Sequence, residues 1–310
     1  MSTLRIRLFG KFQAELEGRA LNNLDAFKVQ ELFCYLLLNR DRPHHRESLS
    51  GLLWGDSETS QSKKYLRQAL WQLQLALNSG AEKQHTGPLD VNPDWVSIVP
   101  SLDFWLDVQA FDETTARVRG IPGQALEASQ VQALKEAVRL YRGDLLEGCY
   151  QEWCLYERER LQNAYLDMLD KLMAYAEVHS EYEDGVEYGA RILRYDRARE
   201  RTHWQLMRLY YLAGDRAGAL RQYERCAAAL EQELGVKPSR RTLALYEQIR
   251  ADRLADTVFS NNVSLGQPTN SSELLVIREH LQDLRETLYN LQDQVNLELR
   301  ALDDLLGKAR

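Results

Sequence analysis

The sequence predicts an α+β domain at the N-terminal end, an all-α domain behind it and one long coiled-coil helix at the C-terminal end. Three observations carry this prediction. Leu4, Ile6 and Leu8 alternate with basic residues, and three stretches of helical apolar period and a turn-centred pair of short segments follow. From Asp112 to about residue 255 the pattern is helical almost throughout, with a 34-residue self-similarity. From Leu274 to Leu305 apolar residues keep a spacing of three and four.

The elements follow in order. Leu4–Phe9 reads as a half-buried strand that Gly10 breaks, and Phe12–Leu16 as a second strand, with Gly18-Arg19 at a turn. Asn23 or Asp25 can cap a first helix whose Phe27, Leu32, Phe33, Leu36 and Leu37 face inward, and Asp41-Arg42-Pro43 ends it. Arg46–Trp54 is a short second helix, Gly55-Asp56-Ser57 a loop, and Ser60–Asn78 a third helix. Pro88–Val99 forms a hairpin turning at Asn92-Pro93-Asp94, and Phe104–Val108 is a further strand.

Beyond Asp112 only Gly120–Gly123 interrupts the helical pattern. Val131, Leu134, Val138 and Leu140 open an amphipathic stretch. At an offset of 34, Leu172 maps to Leu206, Met173 to Met207 and Val186 to Leu220, with small residues (Gly185, Ala219) where paired helices approach. That is the tetratricopeptide (TPR) period of stacked helix pairs, which leave a groove able to take a peptide, a second protomer or RNA polymerase. The aromatics Trp153, Tyr156, Tyr165, Tyr175, Tyr210 and Tyr211 sit at helical spacing, which reads as core rather than as a ligand pocket. Ala219, Leu220, Tyr223, Ala227 and Leu230 make one apolar face; Gly235 supplies a left-handed stop, Pro238 blocks continuation, and Ser239 or Thr242 caps a final helix with Leu243, Leu245, Tyr246 and Ile249.

The block ALRQYERCAAALEQELGVKPSRRTLALYEQI resembles the end of the bacterial transcriptional activator domain (BTAD), and YRGDLLEG at 141–148, continued by Trp153 and Glu157-Arg158, is a second signature of that kind. RLFGKFQAELEGRAL, LLLNRDRPHHRESLSGLLWGDSE and KKYLRQALWQLQLAL resemble the opening of the Streptomyces antibiotic regulatory protein (SARP) family of transcription activators. The resemblance implies a winged helix-turn-helix of OmpR type over residues 1–110 and a TPR-like BTAD over 111–255. It implies a third helix in the major groove of double-stranded DNA, a hairpin wing along the backbone or minor groove, and a Trp54–Ser60 loop able to touch RNA polymerase.

The third helix divides by physical chemistry. Leu66, Leu70, Leu73 and Leu77 follow i, i+4, i+7, i+11 and face the core. Lys63, Lys64, Arg67, Gln68 and Trp71 fall on or near the other face, with Gln74 and Asn78. Arg reads guanine through two hydrogen bonds, Gln reads adenine and Lys suits phosphate. Trp71 can pack on a thymine methyl or a sugar, or cover an apolar seam. Lys28, at the start of the first helix, is the expected phosphate contact outside the third helix. The family commonly carries further basic residues where this chain has Gln30, Gln72 and Gln74, so fewer phosphate contacts and a shallower salt slope are expected.

Net charge is −7, yet the first 100 residues carry 12 Lys and Arg against 11 Asp and Glu, so the acid excess belongs to the rest of the chain. This leaves the N-terminal part neutral enough to approach DNA. Thr257–Ser272 is polar and reads as a linker over 256–272. The heptad helix over 273–308, broken only at Glu298, is expected either to pair two chains into a homodimer or to pack back on the helical domain. No apolar run reaches the ~18 residues of a membrane span and the N-terminus lacks a signal-peptide pattern, so a cytoplasmic protein with reduced cysteines is expected. No phosphate loop, metal-ligand spacing or nucleophile elbow occurs, so neither an enzyme nor a cofactor is expected. The alternative is a protein-interaction scaffold whose winged helix no longer binds DNA.

Overall fold

A computed structural model describes residues 4–21, 24, 26–78, 89–99 and 104–253. The chain separates into two units after Arg250. The linker and heptad helix expected beyond residue 255 lie outside the described residues, as do Asn23 and Asp25, the expected caps of the first helix. What is described is a small N-terminal β region, with three helices set among its strands, followed by a mostly helical domain.

Strands β1 (Leu4–Arg7), β2 (Gln13–Leu16), β3 (Arg19–Ala20) and β7 (Phe104–Leu106) form one sheet in the order β3-β2-β1-β7, with β7 parallel to β1 and the other pairs antiparallel. Helices α1 (Phe27–Leu38), α2 (Arg46–Trp54) and α3 (Thr59–Asn78) follow. The residue capping α1 is Ala26, which offers no side-chain cap. At its other end Asn39 donates to Tyr35 O through both its backbone N–H and its side-chain amide, and the Arg40 side chain donates to Leu37 O. A second sheet, β4-β6-β5, joins His44–His45 to the hairpin β5 (Leu89–Val91) and β6 (Trp95–Ile98). The hairpin turns at Asn92-Pro93-Asp94 as expected, closed by Asn92 N–H donating to Trp95 O at 2.8 Å.

Helix α4 (Asp107–Arg117) begins where β7 ends, so the strand expected to reach Val108 stops at Leu106. The reason is Asp107, whose buried carboxylate accepts from Leu8 N (2.9 Å to each oxygen), Phe9 N (3.1 Å) and its own helix's Val108 N (2.8 Å). The YRGDLLEG segment closes over the same chain. Gly10 N donates to Asp144 O, Leu146 N to Leu8 O and Glu147 N to Gly10 O, each at 2.9 Å. Arg158 spans the segment from below, donating to the carbonyls of Leu145, Leu146 and Cys149 at 3.0–3.2 Å.

The rest is helix pairs: α5 (Ala128–Leu140) against the long α6 (Glu152–Val178), then α7 (Tyr182–Tyr195), α8 (Glu200–Leu212), α9 (Arg216–Leu234) and α10 (Arg240–Arg250). The 34-residue offset is geometric. Ser180 (φ 60°) and Gly214 (φ 83°) hold the same left-handed turn, and Glu181 N→Ala176 O (2.9 Å) is repeated as Asp215 N→Tyr210 O (2.8 Å). At Gly185 an added Cβ would lie 3.0 Å from Leu209, so its helix approaches α8 closely. Gly235 takes the expected left-handed stop (φ 66°), its N–H donating to Glu231 O. Tyr165 is buried, Trp153, Tyr175, Tyr210 and Tyr211 are half-buried, and Tyr156 is exposed, so the aromatics only partly serve as core. The four cysteines are buried and unbridged.

Candidate nucleic-acid interface

The candidate surface rests on how α3 is held. Leu66, Ala69, Leu70, Leu73, Ala76 and Leu77 bury against α1 and α2, in a core that includes Leu32, Phe33, Leu36 and Val96. At roughly 1.5–3 kcal/mol for each large apolar side chain buried, this face fixes the rotation of the helix. The remaining turns then present Lys64, Arg67, Gln68, Trp71 and Leu75 in steps of three and four along one exposed stripe, with Lys63 beside them. Trp71 is 61% exposed and Leu75 54%, large apolar surface for a helix whose other face already fills the core.

The hairpin is tied to the same end of the molecule. Arg46 donates through its backbone N to Asp94 O at 2.9 Å and through Nη1 to Asn92 O at 3.2 Å, so the first residue of α2 pins the hairpin turn. His45, the capping residue of α2, sets its ring edge-on to the half-exposed Trp95 at 5.2 Å between centroids. A cleft of about 300 Å³ runs between these elements, bounded by Arg46, Glu47, Lys63, Arg67, Pro93 and Asp94.

The structure brings five of the six expected residues, Lys63, Lys64, Arg67, Gln68 and Trp71, to the exposed side of α3. Lys28 is held differently. Its Nζ sits 2.7 Å from the buried Glu31 and donates to Leu53 O at 3.0 Å. Lys63 is 2.7 Å from Glu47, and that hydrogen bond draws the Glu47 carboxyl below its usual range. Both partners are well exposed, so the pair is weak and a competing anion can open it. Sequence reasoning missed Arg46, Trp95 and Leu75. Trp95 meets His45 across a two-residue strand, and Arg46 bonds a turn about 46 residues on, neither of which periodicity reveals, whereas Leu75 was available from its i+4 relation to Trp71.

The neighbouring surface is not basic throughout, since Asp90 and Asp94 lie on the hairpin. Among the described residues no group of His, Cys, Asp and Glu is placed to hold a metal ion, and no helix is long and apolar enough to cross a membrane.

Comparison with known proteins supports the domain behind this surface. Residues 106–250 match the bacterial transcriptional activator domain family. The match begins where β7 hands over to α4. The fold is also that of Mycobacterium tuberculosis EmbR, solved in complex with a low-affinity phosphopeptide, with a TM-score of 0.61 and 22% identity over 82% of this chain. The chain spans 66% of that structure's length, just under two thirds. No curated protein matches the sequence. Residues 106–250 are therefore similar to a bacterial transcriptional activator domain, in line with the resemblance read from YRGDLLEG and the ELGVKPS block.

Proposed function

We propose that the chain is a SARP-type regulator that binds double-stranded DNA sequence-specifically, with α3 in the major groove and the β5–β6 hairpin on the adjoining backbone. The carrying observation is the exposed stripe Lys64, Arg67, Gln68, Trp71 on a helix whose opposite face is locked in the core. Arg67 and Gln68 read base edges, Lys63 and Lys64 hold phosphates, and Trp71 covers a thymine methyl or a sugar. Lys28 reaches phosphate only by leaving Glu31. In this reading residues 1–110 are the winged-helix domain, 111–255 the TPR-like BTAD, and 273–308 a coiled-coil helix that pairs two chains on repeated promoter elements. Activation follows from RNA polymerase meeting the Trp54–Ser60 loop. The phosphopeptide of the EmbR complex is not carried over, because this chain spans only part of that protein.

Arg67→Ala is expected to cost roughly 1–3 kcal/mol in operator binding and to relax base preference at one position. Genomic-fragment selection with the purified chain at about 50 mM salt, where electrostatic binding is strongest, supplies the sites, and footprinting of both forms reads the change. An unchanged affinity and site preference removes Arg67 from the interface. A second reading, a scaffold whose winged helix no longer binds DNA, is favoured by Asp94 at the hairpin turn and by the pairing of Lys28 and Lys63 with acids. Failure to enrich any fragment at that salt selects it.

A further inference from the structure

A second polar cleft, of about 650 Å³, lies in the helical domain and owes nothing to the DNA reading. Its walls come from the end of α6, from α8 and from the start of α10, with Gln124 beside them. Three arginines line it, Arg201, Arg208 and Arg241. The two acids that also line it are already engaged. Glu177 pairs with Arg208 at 2.7 Å, and Glu200 accepts from Ser239 N at 2.7 Å. Arg201 and Arg241 are exposed.

Trp204 sits at the centre. The Arg241 guanidinium lies 4.3 Å from its ring centroid and that of Arg208 lies 5.1 Å from it. Arg208 is neutralised by Glu177, so an added anion is drawn to Arg241 on the indole and to Arg201. Two further groups on this wall lack partners in the folded chain, the Trp204 indole N–H and the Gln205 side-chain oxygen, both shielded from solvent. An unmet buried donor or acceptor costs about 1–3 kcal/mol.

We propose that this cleft binds an acidic peptide segment of a partner protein, its carboxylates on Arg201 and Arg241 and its backbone against Trp204 and Gln205. Clusters of arginine are the recurring means of recognising acidic motifs. A nucleic acid fits less well, because the one aromatic ring of the lining is already engaged by two guanidinia that a stacking base must displace. A small apolar metabolite fits less well too, because such ligands take mostly apolar pockets and this lining is charged and amide-bearing.

The test uses the full-length chain and a fluorescently labelled oligoglutamate peptide, read by anisotropy at about 50 mM salt. Saturable binding is expected, weakened about tenfold or more by Arg201→Glu with Arg241→Glu, as expected when charge-assisted contacts become repulsive. Arg201→Glu alone, at an exposed position, weakens it with the thermal melt unchanged, which separates loss of the site from loss of the fold. Lys64→Ala with Arg67→Ala leaves peptide binding intact while abolishing DNA binding, so the two surfaces fail independently. The proposal is overturned by absence of saturable binding, by equal loss in the Lys64 and Arg67 variant, or by single-stranded DNA displacing the peptide through the same arginines.

Discussion

Asp107 shows how much one side chain does at the joint between the β region and the helical domain. Its carboxylate receives three backbone N–H groups, two of them from residues about 99 positions away. Asparagine presents one carbonyl oxygen and turns an NH2 toward donors, so Asp107→Asn is expected to destabilise the fold by about 1–3 kcal/mol, measured as a shift in urea midpoint. An unchanged midpoint means that the three bonds contribute nothing net. His203 offers a second residue-level test. Its Nε2 lies 2.9 Å from Arg197 O, an acceptor only, so Nε2 carries the hydrogen and Nδ1 accepts from the Gln222 amide at 2.8 Å. Burial lowers the pKa of this histidine, against the pull of the Nε2–H bond to Arg197 O. With the folded value depressed below the unfolded value near 6.5, the unfolded chain takes up the proton first. Stability from this site is therefore present above about pH 6.5 and lost as pH falls through the range between the two values. Melting temperature is expected to drop between about pH 7 and 5 more steeply in the native chain than in His203→Gln, where no imidazole titrates.

At the scale of elements, the turn after α9 is the sharpest test. Gly235 is left-handed, and Gly235→Ala puts a Cβ into that conformation at a cost of roughly 1–2 kcal/mol, read as a lower melting temperature with the helical spectrum intact. This stop was legible in the sequence, as were α2, whose bounds match the expectation, and α3, which starts one residue early. Apolar period and turn residues are local signals, and these elements are set locally. What escaped was set from elsewhere in the chain. Strand β4 is only His44–His45 and exists because β6 pairs with it. The cap of α1 fell to Ala26 rather than to Asn23 or Asp25, because α1 starts at Phe27. On α9 the buried face includes Gln222 and Cys226 while Leu220, Tyr223 and Ala227 are only half-covered, since the contact with α8 and the His203–Gln222 bond choose the rotation. The candidate DNA surface follows the same rule. The stripe on α3 could be read from its own period, but the pinning of the hairpin by Arg46 and the internal pairing of Lys28 could not.

At the scale of the whole molecule, the YRGDLLEG segment is hydrogen-bonded to the chain at Leu8 and Gly10, which ties the helical domain to the β region rather than leaving the two as beads on a tether. That matters because the basic surface is thin. Lys28 and Lys63 are paired to acids, so in the proposed DNA complex one copy has few lysines free for phosphate, and each contact contributes about −0.9 to the salt slope. Two rigidly mounted copies on two half-sites remove that weakness, since the second half binds at an effective concentration set by the link between them. The heptad pattern from Leu274 to Leu305 is the sequence feature suited to supply that link. The full chain is accordingly expected to be a dimer by light scattering, and the chain ending at Ala255 a monomer. On a two-half-site operator the truncated form should bind about 10²-fold or more weakly, while its preference at the base read by Arg67 stays the same, because the reading surface is untouched. A truncated chain that is still a dimer, or a full chain that is a monomer, would show that the copies meet through another surface or do not meet. A truncated monomer with undiminished operator affinity would show that one copy suffices.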